Sequence, residues 1–168
     1  MTQAKSSTRQ AVPGEASRIA EVLREAFAEY KNLYTDEAYA ATTPASDEVR
    51  NRIDEKTVWV ALCQGEIVGT VSAVPYNKSF YIRSMAVLPS ARGQDIGELL
   101  LEEIEKVARA LGYERLLLCT TPFLNRAIRL YERFGFRRSD EGAKDLCGTP
   151  LFTMMKTLSS ADKAVKDD

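Results

Sequence analysis

Histidine is absent from all 168 residues, which removes the commonest metal ligand and the side chain most used for proton transfer near neutral pH. Cysteine is sparse. Cys63, Cys119 and Cys147 have neither metal-ligand spacing nor the even count of a disulfide framework, so no metal and a reducing, cytoplasmic setting are expected. Charge of one sign is not in excess: 23 basic and 24 acidic residues leave a net charge of -1, and no electrostatic footprint for nucleic acid or an anionic membrane results. Apolar runs fall short of the roughly 20 residues that span a bilayer. The polar segment 1–9 also lacks the apolar core of a signal peptide. Without repeats or linkers, the expectation is one domain over residues 8–158, with flexible ends at 1–7 and 159–168.

What is present is a 45% hydrophobic chain, enough for one core. A first strand is expected around 8–12. Ile19, Val22, Leu23, Ala26, Phe27 and Tyr30 then recur at helical spacing. Thr43 and Pro44 read as an N-cap and first helical position ahead of Val49 and Ile53. The runs 58–63 and 67–74 flank Gln64 and Gly65 as a hairpin, and 80–88 extends the meander. From Ile96, the residues Leu100, Ile104, Val107, Ala108 and Leu111 mark one face of a helix that Gly112 ends. Glu102 with Lys106, and Glu105 with Arg109, are i,i+4 pairs on its other face. A buried strand at 115–120, a helix at 123–134 stopped by Gly135, and closing strands at 136–138 and 151–158 complete a mixed α/β sheet. The βαβ unit from 80 to 120 is expected to cross over with right-handed sense.

The stretch MAVLPSARGQDIG, Met85 to Gly97, runs from a short strand through Pro89 into a basic, glycine-containing turn that opens a helix. The amides of a helix's first turn lack partners and carry the positive end of the helix dipole, so the turn can cradle an anion. Neither the dinucleotide fingerprint nor the P-loop fits its spacing. Asp95 with Glu98 reads as an Asp-x-x-Glu capping pattern.

With Val87, Leu88 and Pro89 leading into Arg92, Gly93, Gln94, Asp95, Ile96 and Gly97, the turn resembles the GNAT N-acetyltransferase superfamily, whose motif is Arg/Gln-x-x-Gly-x-Gly/Ala. Downstream, NRAIRLYERFGF resembles the family's closing signature, and VWVALCQGEIVGTVSAV and TRQAVPGEA resemble its hairpin and opening. The resemblance covers about residues 8–157 and implies an antiparallel meander joined to a central parallel strand pair with helices on both faces. It implies acetyl-CoA as cosubstrate, with two parallel strands splaying around the acyl arm. Met85, Ala86 and Val87 match the strand that pairs with that arm, and a backbone amide there would polarise the thioester carbonyl. Residues 92–98, Glu98 included, match the pyrophosphate cradle. Tyr131 matches the tyrosine that donates a proton to the departing thiolate, its side chain protonated at neutral pH.

Three positions depart from the pattern. Asp95 replaces the central glycine and would repel a pyrophosphate. Leu124 stands where many members have asparagine, and the neighbouring Asn125, carried over as a cofactor contact, also suits a helix cap. The strands FYIRSMAVL and LLLCTT carry no acid, with Cys119 where one is expected, so no general base is assigned. A water relay is the reading, with Glu29, Asp36 or Glu37 as remote acceptors or simply as a solvated face. The segment 30–43, holding Tyr30, Tyr34, Tyr39, Asp36 and Glu37, is either an ordinary surface loop or an acid-aromatic site for a cationic amine. The function implied is acetyl transfer from acetyl-CoA to an amine of a small molecule, peptide or protein by direct attack. The alternative is a catalytically degenerate acyl-CoA-binding sensor. Dimer formation is left open.

Overall fold

The computed structural model describes residues 5–142 and 144–158. Expectations for 1–4 and 159–168 lie outside the described residues. Strand β1 (Ser6–Gln10) begins and ends two residues before the predicted one, so residues 6 and 7 belong to the sheet. The amphipathic pattern after it folds as α1 (Ala16–Phe27), which buries Ile19, Ala20, Val22, Leu23 and Ala26.

A 3-10 turn (Ala28–Leu33) and a short helix α2 (Asp36–Thr42) occupy the segment that the sequence leaves open between loop and site. Only Ala38 of α2 is buried, so no apolar periodicity announces the helix. Its determinant is a cap: Thr35 Oγ1 accepts from the Ala38 amide at 3.2 Å. The following helix α3 (Ser46–Asp54) takes Ala45 as its N-cap, not Thr43. The Thr43 hydroxyl instead donates back to Tyr39 O at 2.8 Å, at the end of α2.

Strands β2 (Val58–Cys63), β3 (Glu66–Tyr76) and β4 (Ser79–Val87) form the expected meander. Gln64 and Gly65 turn the first hairpin with φ of 53° and 80°, the doubly left-handed geometry of a type I′ turn. Helix α4 (Ile96–Leu111) leads to β5 (Arg115–Thr120), which is parallel to β4. Gly112 caps α4 at φ 84°. The predicted face of α4 buries Ile96, Leu100, Ile104 and Ala108, whereas Leu111 is 63% exposed because it lies in the last turn. Of the two predicted pairs, Glu105 meets Arg109 at 3.5 Å.

Helix α5 (Asn125–Phe134) stops at Gly135 with φ 107°, and β6 (Arg137–Ser139) follows. A two-residue-strand hairpin, β7 (Asp145–Leu146) and β8 (Thr149–Pro150), precedes β9 (Phe152–Thr157). The seven-stranded sheet has the order β1-β2-β3-β4-β5-β9-β6, with β4–β5 its parallel pair. Successive residues Gly69 to Ala73 of β3 and Leu116 to Leu118 of β5 are all buried. Successive strand side chains point to opposite faces, so both faces of the sheet are covered. Gly69 sets the spacing on one: a Cβ there would lie 3.0 Å from Ile96 Cγ2 and 3.2 Å from Leu100 Cδ1. No helix among the described residues is long and apolar enough to cross a membrane.

Candidate active site where two parallel strands part

The cleft originates in a register shift. Ser72 pairs with Ser84 but the next residue, Ala73, pairs with Ile82, which leaves Arg83 as an extra residue on β4. Such a bulge bends and twists its strand. Pairing between β4 and β5 runs from Ser79↔Arg115 to Ile82↔Leu118 and ends there, one residue before the bulge. From Arg83 to Val87, β4 therefore has no β5 partner for the backbone groups on that edge. Unpaired backbone groups in a cleft are a template for an extended ligand.

A cavity of about 400 Å³ fills the gap, within the range of small-molecule sites. Residues 81–87 form one wall and Leu118 to Thr121 the other, while the start of α4 and one face of α5 form the base. Tyr30, Tyr34, Ala41 and Thr42 line it from the α1–α2 region, and Leu146 and Leu151 from the β7–β8 region. The buried hydroxyl Thr120 Oγ1 makes no hydrogen bond. Thr120 lines the cavity, and an orphaned polar atom of this kind marks where a ligand can pair.

At the base, Gly93 has φ 81° with open space around it, and Asp95 also adopts the left-handed region, at φ 61° and ψ 22°. The expected cap therefore fails. Asp95 holds the N-cap position of α4, but its side chain makes no capping bond, since an Asp cap requires extended backbone at that residue. Gly97 has a packing role as well: a Cβ would come within 2.6 Å of Leu130 Cδ2 on α5. Arg92 forms an ion pair with Glu29, so the carboxylate considered as a remote proton acceptor is engaged at the cradle instead.

Tyr131 projects from α5 into the cavity lining, with its ring edge-on to Phe136 at 5.8 Å. Burial pushes its phenol well above the ordinary tyrosine value, and the nearby Tyr34 adds to the rise. Tyr34 is raised by burial too, opposed by the neighbouring hydroxyls of Thr121 and Thr42. On the strand pair, burial raises Tyr81, reinforced by Cys119. The Cys119 Sγ lies 3.5 Å from Thr153 Oγ1.

Of the residues singled out in the sequence, Met85, Ala86, Val87, Arg92, Gly93, Asp95, Ile96, Gly97, Glu98 and Tyr131 all line this cavity. Gln94 and Asn125 do not. Gln94 is exposed and its side-chain oxygen faces Cys63 Sγ at 3.9 Å. Asn125 is the first residue of α5 after the N-cap Leu124 and makes no side-chain cap. Asp36, Glu37 and Tyr39 also lie outside the lining. Sequence reading misses Arg83, Arg126, Leu130 and Arg133. The last three recur at i, i+4 and i+7, a spacing that places them on one face of α5.

A model of the acetyltransferase (GNAT) family matches residues 19–136. The uncharacterized N-acetyltransferase YjgM of Escherichia coli is 34% identical over 128 residues, 73% of this chain and 76% of that protein. N-acetyltransferase 8 of Rattus norvegicus is 31% identical over 122 residues, covering 69% of this chain but only 52% of the rat protein. Among solved structures, PaiA N-acetyltransferase from Thermoplasma acidophilum in complex with coenzyme A matches with a TM-score of 0.78 at 18% identity, covering 92% of this chain and 99% of that one. This last likeness is one of fold.

Proposed function

Because the chain belongs to the acetyltransferase (GNAT) family, we propose that it transfers an acetyl group from acetyl-CoA to an amine by direct attack. The observation that carries this reading is the unpaired β4 edge beside the α4 cradle and Tyr131. The residues fit the cosubstrate. An extended amide-bearing arm can pair with Arg83 to Val87, the orphaned Thr120 hydroxyl lies along the same gap, and the left-handed turn at Gly93 and Asp95 turns the chain into α4. Acetyl-CoA, when bound, supplies the activated acyl thioester.

Arg92 shares its charge between Glu29 and an anion in the cradle, and Arg126 and Arg133 also line the cleft. A β4 amide among Met85, Ala86 and Val87 donates to the oxygen on which charge develops. A phenol of ordinary pKa about 10 is a weaker acid than a thiol of about 8.5, so full proton transfer is uphill by about 2 kcal/mol. Burial weakens the acid further. Tyr131 thus stabilises the leaving sulfur through a hydrogen bond, and of the two protons that the acceptor ammonium loses in becoming an amide, one ends on the sulfur and the other passes to solvent. Among the described residues, the carboxylates lining the cleft, Asp95 and Glu98, belong to the cradle, so water carries the acceptor's proton away.

Thiol release from acetyl-CoA across a panel of amines tests the proposal. Turnover is expected with some amines, and Tyr131→Phe should lower kcat by on the order of 100-fold. Cofactor binding without turnover on any amine would favour the acyl-CoA-binding module, a reading that the lack of an acid at the acceptor end supports.

A further inference from the structure

Strand β4 carries one residue more than β3 between two fixed points. At the hairpin end Tyr76 pairs with Ser79, and the register runs unbroken from there to Ala73↔Ile82. At the other end Gly69 pairs with Val87, the Leu88 amide donates to Val68 O at 2.8 Å, and the register runs back unbroken to Ser72↔Ser84. Both ends are satisfied only if β4 bulges between them. Pairing alone does not choose the place, since moving the bulge by one residue exchanges one ladder pair for another and turns the side chain it passes to the other face.

The side chain of the extra residue does choose it. Arg83 reaches across β3, where its Nε donates to Ser72 Oγ and its Nη2 to Thr57 Oγ1, each at 2.8 Å. Ser72 is one of the two β3 residues between which the register shifts, so the guanidinium grips the strand opposite the bulge. The platform beneath is fixed as well. Thr57 O accepts from Ser72 Oγ at 2.8 Å and from the Ala73 amide at 3.1 Å, the residues on either side of the shift. Thr57 is tied in turn to the last turn of α3, where Arg52 O accepts from its hydroxyl at 2.9 Å and from its amide at 3.1 Å. Both hydroxyl protons are thereby committed, and lone pairs face the arginine. Glu55 adds little, with its carboxylate 3.9 Å from Nη2 and its side chain 63% exposed. Burial works against the Arg83 charge, so a bulge placed where the guanidinium lacked these acceptors would leave donors unpaired.

We propose that Arg83 is a positioning residue for the cosubstrate: by bonding to Ser72 and Thr57 it fixes the β4 bulge at residue 83, and with it the point where β4 leaves β5. This rests on the acetyl-transfer reading above. Pairing between β4 and β5 ends at Ile82↔Leu118, one residue before the bulge. A bulge displaced toward Val87 lets β4 stay beside β5 for longer, which shortens the unpaired edge and shifts the backbone groups that an acyl arm would meet. The Arg83 side chain thus acts through the backbone that it places.

The test pairs acetyl-CoA binding with amide exchange of the free protein in Arg83→Met, which keeps the length of the side chain and removes its donors. Calorimetry should show binding weaker by about tenfold, the worth of one or two hydrogen bonds, and Arg83→Lys should recover part of it. In turnover the loss should fall on the KM for acetyl-CoA and not on that for the amine. Exchange in the free variant should quicken by about tenfold at residues 82–85 while β1 stays as in the parent. Ser72→Ala removes one bond and keeps the guanidinium, so it should shift the same amides in the same direction, and it carries the test if Arg83→Met does not fold. Parent-like acetyl-CoA binding by Arg83→Met, a KM rise shared equally by the amine, or faster exchange spread evenly over β1 to β4 overturns the proposal, the last because it marks a loss of stability alone. If the parent itself binds no acetyl-CoA, the acetyl-transfer reading fails, and exchange of the free variants still decides what holds the bulge. Unchanged exchange at 82–85 overturns the assignment.

Discussion

Asp95 combines two opposed effects on one residue. Left-handed backbone costs a non-glycine residue about 1 kcal/mol, while a carboxylate at a helix N-terminus gains about 0.3–1 kcal/mol. These nearly cancel, so Asp95→Gly should leave the melting temperature within a few degrees of the parent. Coenzyme binding responds differently. At about 5 Å from a phosphate charge, an exposed carboxylate in a near-water dielectric costs about 1 kcal/mol, so calorimetry should show acetyl-CoA binding roughly fivefold tighter in Asp95→Gly. An unchanged or weaker Kd would remove repulsion from the account. The sequence motif locates this residue at the mouth of α4, but the capping pattern misleads, because side-chain identity does not reveal that φ is 61°. The flanking signature points to Tyr131, which lines the cleft, but not to the acidity of its phenol. That depends on burial among α5, Phe136 and Tyr34.

Among the elements, α1 and α4 were readable because each buries a continuous apolar stripe, and Gly112 and Gly135 announce their helix ends. Helix α2 was not, since a single buried alanine and a threonine cap leave no periodic trace. The bulge at Arg83 is equally silent in FYIRSMAVL, where it inserts a residue without breaking the strand's apolar character. Its consequence is the cleft itself. The packing of α4 on β3 is tight at one glycine, where a methyl group would meet Ile96, Leu100 and the Ala86 carbonyl within 3.2 Å. Gly69→Ala should therefore destabilise the fold by about 1–3 kcal/mol in denaturant unfolding. A neutral result would mean that α4 can move away from the sheet at little cost.

At the scale of the molecule, the sheet is continuous on one side of the bulge and divided on the other. Among the described residues, the divided half leaves the Arg83–Val87 edge of β4 without a strand partner inside the sheet. The same architecture buries Tyr131 and Tyr34 and partly buries Tyr81 beside the cleft, and each phenol is raised above its ordinary value. A raised folded-state pKa stabilises the fold fully below the unfolded value of about 10, and that stability is lost as pH rises beyond it. Unfolding free energy should thus fall steeply above about pH 10, less so in Tyr131→Phe, as denaturant titrations at stepped pH would show. The central claim is that the unpaired edge of β4 holds the arm of acetyl-CoA. Amide hydrogen exchange with and without acetyl-CoA tests it most directly: exchange should slow across residues 83–87 and 93–97, while β1 and β2 stay unchanged. Protection elsewhere with none at 83–87 would contradict the account.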